Sequence, residues 1–584
     1  MLSYRKLAMR VLGRPLHTGG GGIDSPRPAS QRAAALVLTA AMLTTFTAPA
    51  FAKTWYIEDG DITISASETK GTNKVSQGAE PEVEDTGTII TNREKDASSH
   101  TVTINAGNDK VEVTLDNVNI KADSGSALIS KGDVTLTLKG DNHLTGGNGG
   151  SSSYGGDGIT SSGSLTISGG TVTATGGDST SSVGSGGSGI YSVSGDVTIS
   201  GGTVNANGGD GKNGSGGGSG IDSSGGVTVS GGTVTANGGD GGSGSGSHGG
   251  NGIYSSSGVA ISGGAVTANG GDSKDGSGGN GIYSSGGVTI SSGSTVTANG
   301  GDGEDGSGGR GITSNGGVTV SGGTVNAKGG SGKNGNGGDG IRSFNPVAIS
   351  GGTVNANGGN SDYSNGGDGI RSLDHVAISG GTVKSNGGSG NLSGGNGIIS
   401  YDIDLSGSLE LTAKAGSPNG KALSRVGSEL DLNTIKDKLD PGAKVTATDA
   451  DGKVIQQVSI PRPVEPEEPS SSSDSGSATP SAPASFLPGL TVTDKDGQRI
   501  SYTSTQSGNT LTVCVGRFTA SLRISLAALR QLRAEGIETI TFQTILCSTT
   551  LSVDELLAIG GEDAEVVLTH HIRSSTLTVG GKAV

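Results

Sequence analysis

Hydrophobic and polar residues alternate with a period of two through the middle of the chain. In one segment Val227 and Val229 share a face and Thr228 takes the other; after two glycines, Val234 and Ala236 share a face. This alternation is typical of short strands that bury one side. The segment therefore predicts three strands, at Gly-Ile, Val-Thr-Val and Thr-Val-Thr-Ala, with Gly-rich bends between them.

The same unit repeats along the chain, and the Gly-Ile dipeptide that starts it returns every 28 to 32 residues. Strands this short are not stable alone, but stacked units pair their backbones and share one aliphatic interior. The sequence predicts a parallel β-solenoid of about ten coils. The glycines of the dipeptide are Gly158, Gly189, Gly220, Gly252, Gly281, Gly311, Gly340, Gly369 and Gly397.

Asn ends the third strand in most units. Because Asn tolerates turn conformations and bonds locally, a ladder of stacked Asn side chains is expected there. The Gly-rich loops that follow, such as residues 238–251, are expected to be mobile. The ladder would contain Asn207, Asn237, Asn269, Asn299, Asn357 and Asn386.

Equivalent positions of a solenoid form columns on its surface, and two of these columns are acidic. Carboxylates one coil apart repel each other. Either the loops diverge and the acids are solvated, or cations such as Ca²⁺ lie between them with oxygen ligands. The candidate metal ligands are Asp178, Asp210, Asp240, Asp272 and Asp302, and, just before Gly-Ile, Asp157, Asp339 and Asp368.

Another column follows the inward-facing Ile and therefore faces outward. Aromatic faces stack on sugar rings, and arginine pairs with carboxylates, so the column predicts a site for an acidic polysaccharide. An exposed column without a ligand is the alternative. The candidate ligand-binding residues are Tyr191, Tyr254, Tyr283, Arg342 and Arg371.

Composition agrees with a thin core and limits the partners. Gly accounts for 114 of the 584 residues, and aromatic residues for 3%. A core made of columns of small aliphatic residues needs few aromatic residues. The formal net charge of −15 disfavours nucleic acid, because phosphate binding needs clustered Lys and Arg.

The N-terminal segment, residues 1–52, is predicted to be an export signal. A basic leader precedes an apolar run, and Ala50-Phe51-Ala52 fits a cleavage pattern before Lys53. A retained membrane anchor is the alternative, although the run is short for a span. We expect a secreted or cell-surface protein with no membrane span after cleavage.

The rest of the chain divides by composition. Residues 53–110 are predicted as an N-terminal cap with Trp55 packed inside it, residues 111–408 as the repeats, and residues 409–460 as a C-terminal cap with a short helix near residues 432–439. Residues 461–488 are a Pro/Ser-rich linker. Residues 489–584 are expected to form a small α+β domain that could contact another protein. Its Cys514 and Cys547 could pair or remain thiols.

Residues 102–408 resemble the clostridial carbohydrate-binding β-helix family. The matching stretches are residues 111–120 (VEVTLDNVNI), residues 133–138 (DVTLTL), Gly156-Asp157-Gly158-Ile159 and the repeated Leu/Val-Thr-Ile-Ser-Gly-Gly-Thr-Val. The resemblance implies a right-handed parallel β-helix like that of pectate lyases, binding of plant cell-wall or acidic polysaccharide, and bound Ca²⁺. The family's Asp-Gly-Ile recurs here only at Asp157, Asp339 and Asp368.

A catalytic constellation is not evident in the sequence. A lyase on this fold would need a carboxylate cluster and a cationic base, for which Arg342 and Arg371 with Asp339 and Asp368 are the candidates. We expect a non-catalytic carbohydrate-binding protein that is calcium-dependent if the acidic columns hold ions. A structural surface protein or adhesin is the first alternative, and a polysaccharide lyase is the second.

Overall fold

A computed structural model describes residues 52–461, apart from residues 151–153, 182–183, 245 and 426, and, with further gaps, residues 490–583. The predicted export signal up to residue 51 and nearly all of the predicted linker lie outside the described residues. The chain divides into two compact units between residues 465 and 466.

The first unit is a parallel β-helix of about 14 turns, which confirms the predicted solenoid. It has more turns than the ten expected, because segments outside the clear repeats join the same stack. Ile62 pairs in parallel with Val102, and Val102 pairs with Leu128, so the predicted N-terminal cap contributes complete turns. At the other end, strand Asp402–Lys414 continues the stack across residue 408.

Each regular turn contains three strands, which we call the first, second and third strand. First strands are Ile159–Ser162, Ile190–Ser192, Ile221–Ser223, Ile253–Ser255, Ile282–Ser284, Ile312–Ser314, Ile341–Ser343, Ile370–Ser372, Ile398–Ser400 and Leu423–Arg425. Second strands are Val197–Ile199, Val227–Val229, Val259–Ile261, Val288–Ile290, Val318–Val320 and Val347–Ile349. Third strands are Thr203–Asn207, Thr233–Asn237, Gly264–Asn269, Ser294–Asn299, Thr324–Lys328 and Thr353–Asn357.

Several longer strands bend through two positions of a turn. They are Val102–Asp116, Leu128–Thr145, Leu165–Thr175, His375–Asn386 and Asp402–Lys414. The remaining strands of this unit are Thr54–Tyr56, Ile62–Ala66, Asn73–Gln77, Val83–Asp85, Ile89–Thr91, Asn119–Lys121, Ser428–Glu429, Lys444–Thr448 and Val454–Ser459. Short 3-10 helices span Ile57–Asp59 and Leu432–Lys438.

The interior is filled by columns of identical or similar aliphatic residues. Ile253 pairs with Ile282, Val259 with Val288, and all four side chains are buried. Burying one such side chain contributes about 1.5–3 kcal/mol, and every turn repeats the gain. The period-two pattern therefore specifies both the strands and the face that they bury.

The expected Asn ladder is present at the end of the third strand. The Nδ2 group of Asn269 donates to Oδ1 of Asn237 at 2.8 Å, and that of Asn299 donates to Oδ1 of Asn269 at 2.8 Å. A second polar ladder was not anticipated. Ser255 and Ser314, which end first strands, are fully buried. Each hydroxyl lies within donating distance of one backbone carbonyl at the following bend and of one at the equivalent bend of the preceding turn.

The Gly-rich loops that we expected to be mobile form a hydrogen-bonded layer beside the aliphatic core. Within one loop, the N–H of Gly250 donates to Gly239 O at 2.8 Å, and the N–H of Gly239 donates to Gly218 O, in the loop of the preceding turn, at 2.8 Å. The backbones approach so closely that a Cβ on Gly309 would lie 1.8 Å from Gly279 O. The high glycine content is therefore a packing requirement of this layer.

Each end of the stack is covered by antiparallel strands. At the N-terminal end Asn73–Gln77 pairs with Ile62–Ala66 and with Val83–Asp85, and Trp55 is buried there, as expected. At the C-terminal end Val454–Ser459 pairs with Lys444–Thr448, beside the 3-10 helix Leu432–Lys438. Such covers hide the open strand edges of a solenoid.

The second unit is a small α+β domain with two sheets. Its helices span Leu526–Ala534 and Val553–Ile559, and Ser525 and Ser552 accept N–H groups at their starts. Cys514 lies on a strand, and Cys547 lies outside the described residues. The strands are Leu490–Thr493, Thr503–Ser507, Thr510–Cys514, Ala520–Ser525, Thr539–Gln543, Ser548–Ser552, Glu565–His570, Ser575–Val579 and Lys582–Ala583.

Candidate functional site

The first acidic column is stacked in register, and its carboxylates bind the backbone of the next turn. The N–H of Asp210 donates to Oδ1 of Asp178 at 3.1 Å, that of Asp240 to Asp210 at 2.9 Å, and that of Asp302 to Asp272 at 2.7 Å. Burial raises the pKa of Asp240, and the charges of Asp210 and Asp272 add to this rise. One oxygen of each acid thus accepts a backbone N–H and extends the ladder between turns. The carboxylates of adjacent turns still repel each other, which offsets part of this stabilisation.

The acids before Gly-Ile behave in the same way. Oδ1 of Asp157 accepts the N–H of Ser188 at 2.8 Å, Oδ1 of Asp339 accepts that of Asp368 at 2.9 Å, and Oδ1 of Asp368 accepts that of Asn396 at 2.6 Å. In the part of the chain that the structure describes, no three Asp, Glu, His or Cys side chains converge as metal ligands. One oxygen of each acid is thus used in the backbone ladder, and the calcium that the resemblance implies stays a prediction.

The outward column forms one continuous row, but its two halves differ in chemistry. In the first half Tyr254 and Tyr283 stack on each other, with ring centroids 5.3 Å apart and planes 6° apart, so their facing surfaces are already covered. Tyr191 lies next to Asp222 in the row. Burial, together with the charge of Asp157, raises the pKa of Asp222 to about 6.

The second half of the column carries arginines beside buried acids. Nη1 of Arg371 lies 3.1 Å from Oδ2 of Asp368, while Nη1 of Arg342 and Nε of Arg310 each lie 3.6 Å from Oδ2 of Asp339. Three guanidinium groups thus share two carboxylates, which leaves an excess of positive charge. The Nε atoms of Arg342 and Arg371 are buried and lack a hydrogen-bond partner among the described residues.

A groove of about 280 Å³ lies over these charges. Burial lowers the pKa of Arg342, and the charge of Arg310 adds to the effect. Burial also raises the pKa of Asp368, with a further contribution from Asp339. Charges in such a partly desolvated groove act more strongly on an anion than charges in open water. We call it the arginine groove. The polar side chains that line it include Arg310, Asn336, Arg342, Asn365, Arg371 and Asn396, together with the two acids Asp339 and Asp368.

An apolar surface adjoins the arginine groove. Phe344 and Tyr401 are 45% and 65% exposed, and the Arg342 guanidinium carbon lies 5.3 Å from the Phe344 ring centroid. A cavity of about 180 Å³ beside Tyr401 is lined by Leu373, Ile399 and Arg371. We call Phe344, Leu373 and Tyr401 the apolar shelf.

The apolar shelf departs from the repeat pattern. The equivalent position, two residues after the outward column, is a serine in most earlier turns, although Val193 and Asn315 occupy it in two of them. The shelf is absent from the candidate residues named from the sequence, because its side chains lie outside the outward column. The signal was present, since apolar residues replace serine in three turns near the arginines. The earlier serines are Ser162, Ser224, Ser256 and Ser285.

The candidate ligand-binding residues therefore fall into two groups. Arg342 and Arg371 lie together in the arginine groove, on adjacent first strands. Tyr254 and Tyr283 lie on earlier turns, and Tyr191 lies two turns before Tyr254. The structure thus separates residues that the sequence placed in one candidate set.

Comparison with known proteins supports the fold. A family model described as a β-helix repeat matches residues 165–189, 197–219, 227–251 and 347–370. Neither the curated proteins nor the solved structures contain a match to the chain. Among the described residues, no helix has the length and apolar character needed to cross a membrane.

Proposed function

We propose that this chain is a secreted, non-catalytic protein that binds an acidic polysaccharide in the arginine groove. The observation that carries the proposal is the sharing of Asp339 and Asp368 by Arg310, Arg342 and Arg371. A ligand carboxylate would supply the missing negative charge and accept charge-assisted hydrogen bonds. The β-helix repeat is consistent with such a ligand.

The apolar shelf supports a sugar rather than a small inorganic anion. The C–H face of a sugar ring can pack against an exposed aromatic ring, as Phe344 and Tyr401 offer. Successive turns of a β-helix lie about 4.8 Å apart, so similar contacts recur along the axis. A polymer can make several of these contacts at once, whereas a monosaccharide can make only one or two.

The groove also favours binding over cleavage. Asp368 pairs with Arg371 and already accepts the N–H of Asn396, and Asp339 pairs with two arginines and accepts the N–H of Asp368. The cationic base of a lyase would have to be Arg342 or Arg371, and a guanidinium that keeps its proton beside a carboxylate cannot accept another. Calcium binding by the acidic columns stays a separate prediction that this proposal does not require.

Calorimetric titration with polygalacturonate tests the proposal. The double variant Arg342→Gln and Arg371→Gln should lose about tenfold or more in affinity, since each charge-assisted contact is worth about 1.5–3 kcal/mol. Lys384→Gln is the matched control: it removes one positive charge from an exposed third-strand position and should bind like the parent chain.

Three other outcomes would contradict the proposal. Equal binding by the double variant would remove the arginine groove as the site. Absence of binding to any acidic polymer would favour a structural or adhesive role. Release of unsaturated sugars during incubation would identify a lyase.

The apolar shelf offers a second variant that should keep the fold. Phe344→Ser, Leu373→Ser and Tyr401→Ser together place a serine at the position where most earlier turns carry one. We expect weaker binding of polygalacturonate with unchanged melting. Unchanged affinity would show that the shelf does not contact sugar.

A further inference from the structure

Asp85 is a buried carboxylate in the N-terminal cover of the β-helix, only 1% exposed. Its Oδ2 accepts the indole N–H of Trp55 at 2.8 Å, and its Oδ1 accepts the backbone N–H groups of Lys53 at 3.0 Å and Gly87 at 3.3 Å. These three groups are the donors to Asp85 found among the described residues, and all of them are neutral. A buried charge held only by neutral donors is costly, which makes Asp85 an unusual choice for a purely structural position.

The side chain of Lys53 does not supply the missing positive charge. Its Nζ lies 3.6 Å from the centroid of the Trp55 ring, whereas its backbone nitrogen is the atom that faces Asp85. That nitrogen belongs to the peptide bond at which the Ala50-Phe51-Ala52 pattern predicts cleavage. Ala52 and Lys53 are both exposed, so a protease could reach this bond.

We propose that Asp85 is the receptor for a new amino terminus at Lys53, produced when the leader is removed. Hydrolysis breaks the Ala52–Lys53 peptide bond; water gives its hydroxyl to the Ala52 carbonyl carbon and a hydrogen to the Lys53 nitrogen. At neutral pH that nitrogen takes up one more proton and becomes an α-ammonium group. This inference rests on the export that the proposed function includes.

Cleavage changes the charge of the Lys53 nitrogen that donates to Asp85, but it does not require either group to move. A neutral N–H···O⁻ contact at 3.0 Å becomes an ion pair at the same place. The pair would fix strand Thr54–Tyr56, whose Trp55 and the adjacent Ile57 are buried. The cover of the β-helix is therefore completed only after processing, and the leader-bearing chain has the weaker N-terminal end.

Melting of four purified chains tests the proposal. One chain begins at Lys53, a second carries the extra residues Gly-Ser-Ala before Lys53, and Asp85→Asn is made in each. We expect the chain that begins at Lys53 to melt about 2 °C higher than the extended chain, and Asp85→Asn to abolish that difference. Equal melting of the two parent chains, or a difference that survives Asp85→Asn, would overturn the proposal.

Asp61→Asn in both chains is the matched control. Asp61 lies in the same cover and accepts the N–H of Thr101 at 2.7 Å, but it is exposed. Its replacement should leave the difference between the two chains intact. Loss of the difference in this control would also contradict the assignment to Asp85.

A second measurement does not depend on the folding of the Asp85→Asn chain. Acylation of the α-amine of the chain that begins at Lys53, followed by mass spectrometry, should be at least tenfold slower in the folded protein than in guanidinium. Equal rates would refute the ion pair. Sequencing the amino terminus of the exported protein checks the cleavage position separately, and none of these readouts depends on polysaccharide binding.

Discussion

Replacing Gly309 with alanine tests whether the Gly-rich loops are a packed layer. The added Cβ would lie 1.8 Å from the carbonyl oxygen of Gly279 on the neighbouring turn. An ordinary contact needs more than 3 Å, so the two backbones must separate by over 1 Å. Gly309 donates its N–H to Gly301 O and accepts the N–H of Gly330, both at 2.8 Å, and the shift would break both bonds.

The magnitude follows from those two bonds. Each buried backbone group left without a partner destabilises the fold by about 1–3 kcal/mol. Alanine also lowers the conformational entropy of the unfolded chain, which stabilises the fold by at most about 1 kcal/mol. Gly309→Ala should therefore lower the free energy of unfolding by about 3 kcal/mol. Because Trp55 is the only tryptophan and is buried in the β-helix, its fluorescence in a urea titration reports on this unit.

Gly287→Ala is the matched control on the same turn. Its Cβ would meet nothing closer than 3.6 Å, and its backbone conformation suits alanine. This variant should be neutral or stabilised by up to about 1 kcal/mol. The packed glycine layer is refuted if the free energy of unfolding of Gly309→Ala differs from that of the parent chain by less than about 0.5 kcal/mol, the usual effect of a neutral surface substitution.

Two further predictions concern pH and the Asn ladder. The pKa of Asp222 is about 6 in the folded chain and near 3.8 ordinarily, so its ionisation disfavours folding and stability should fall as the pH rises from 4 to 6. Asp222→Asn should remove this loss and stabilise the chain at pH 7 by about 1–3 kcal/mol in urea titrations; an unchanged pH dependence would contradict the shift. Asn269→Ala deletes two side-chain hydrogen bonds of 2.8 Å, to Asn237 and Asn299, and should lower the free energy of unfolding by about 1–3 kcal/mol. An unchanged urea midpoint would show that the ladder does not stabilise the stack.

The repeat made the fold predictable from the sequence. Alternation such as Val227-Thr228-Val229 fixes which side of a strand is buried, and the regular return of Gly-Ile fixes which residues stack. The columns and the Asn ladder follow from these local rules, whereas the burial of Trp55 follows from the need to cover the first turn of the stack. Residues outside the clear repeats, such as Ile62, carried a weaker pattern, and the number of turns was underestimated for that reason.

Contacts between loops of different turns required the tertiary structure. Whether Gly309 meets Gly279, whether Asp339 meets two arginines and whether Asp85 meets the Lys53 nitrogen depend on loop paths that alternation does not encode. The sequence alone determined the stacked aliphatic interior, because burial follows a local period. Only the tertiary structure decided which charges are shared and which glycines touch, because these depend on distances between segments about 30 residues apart.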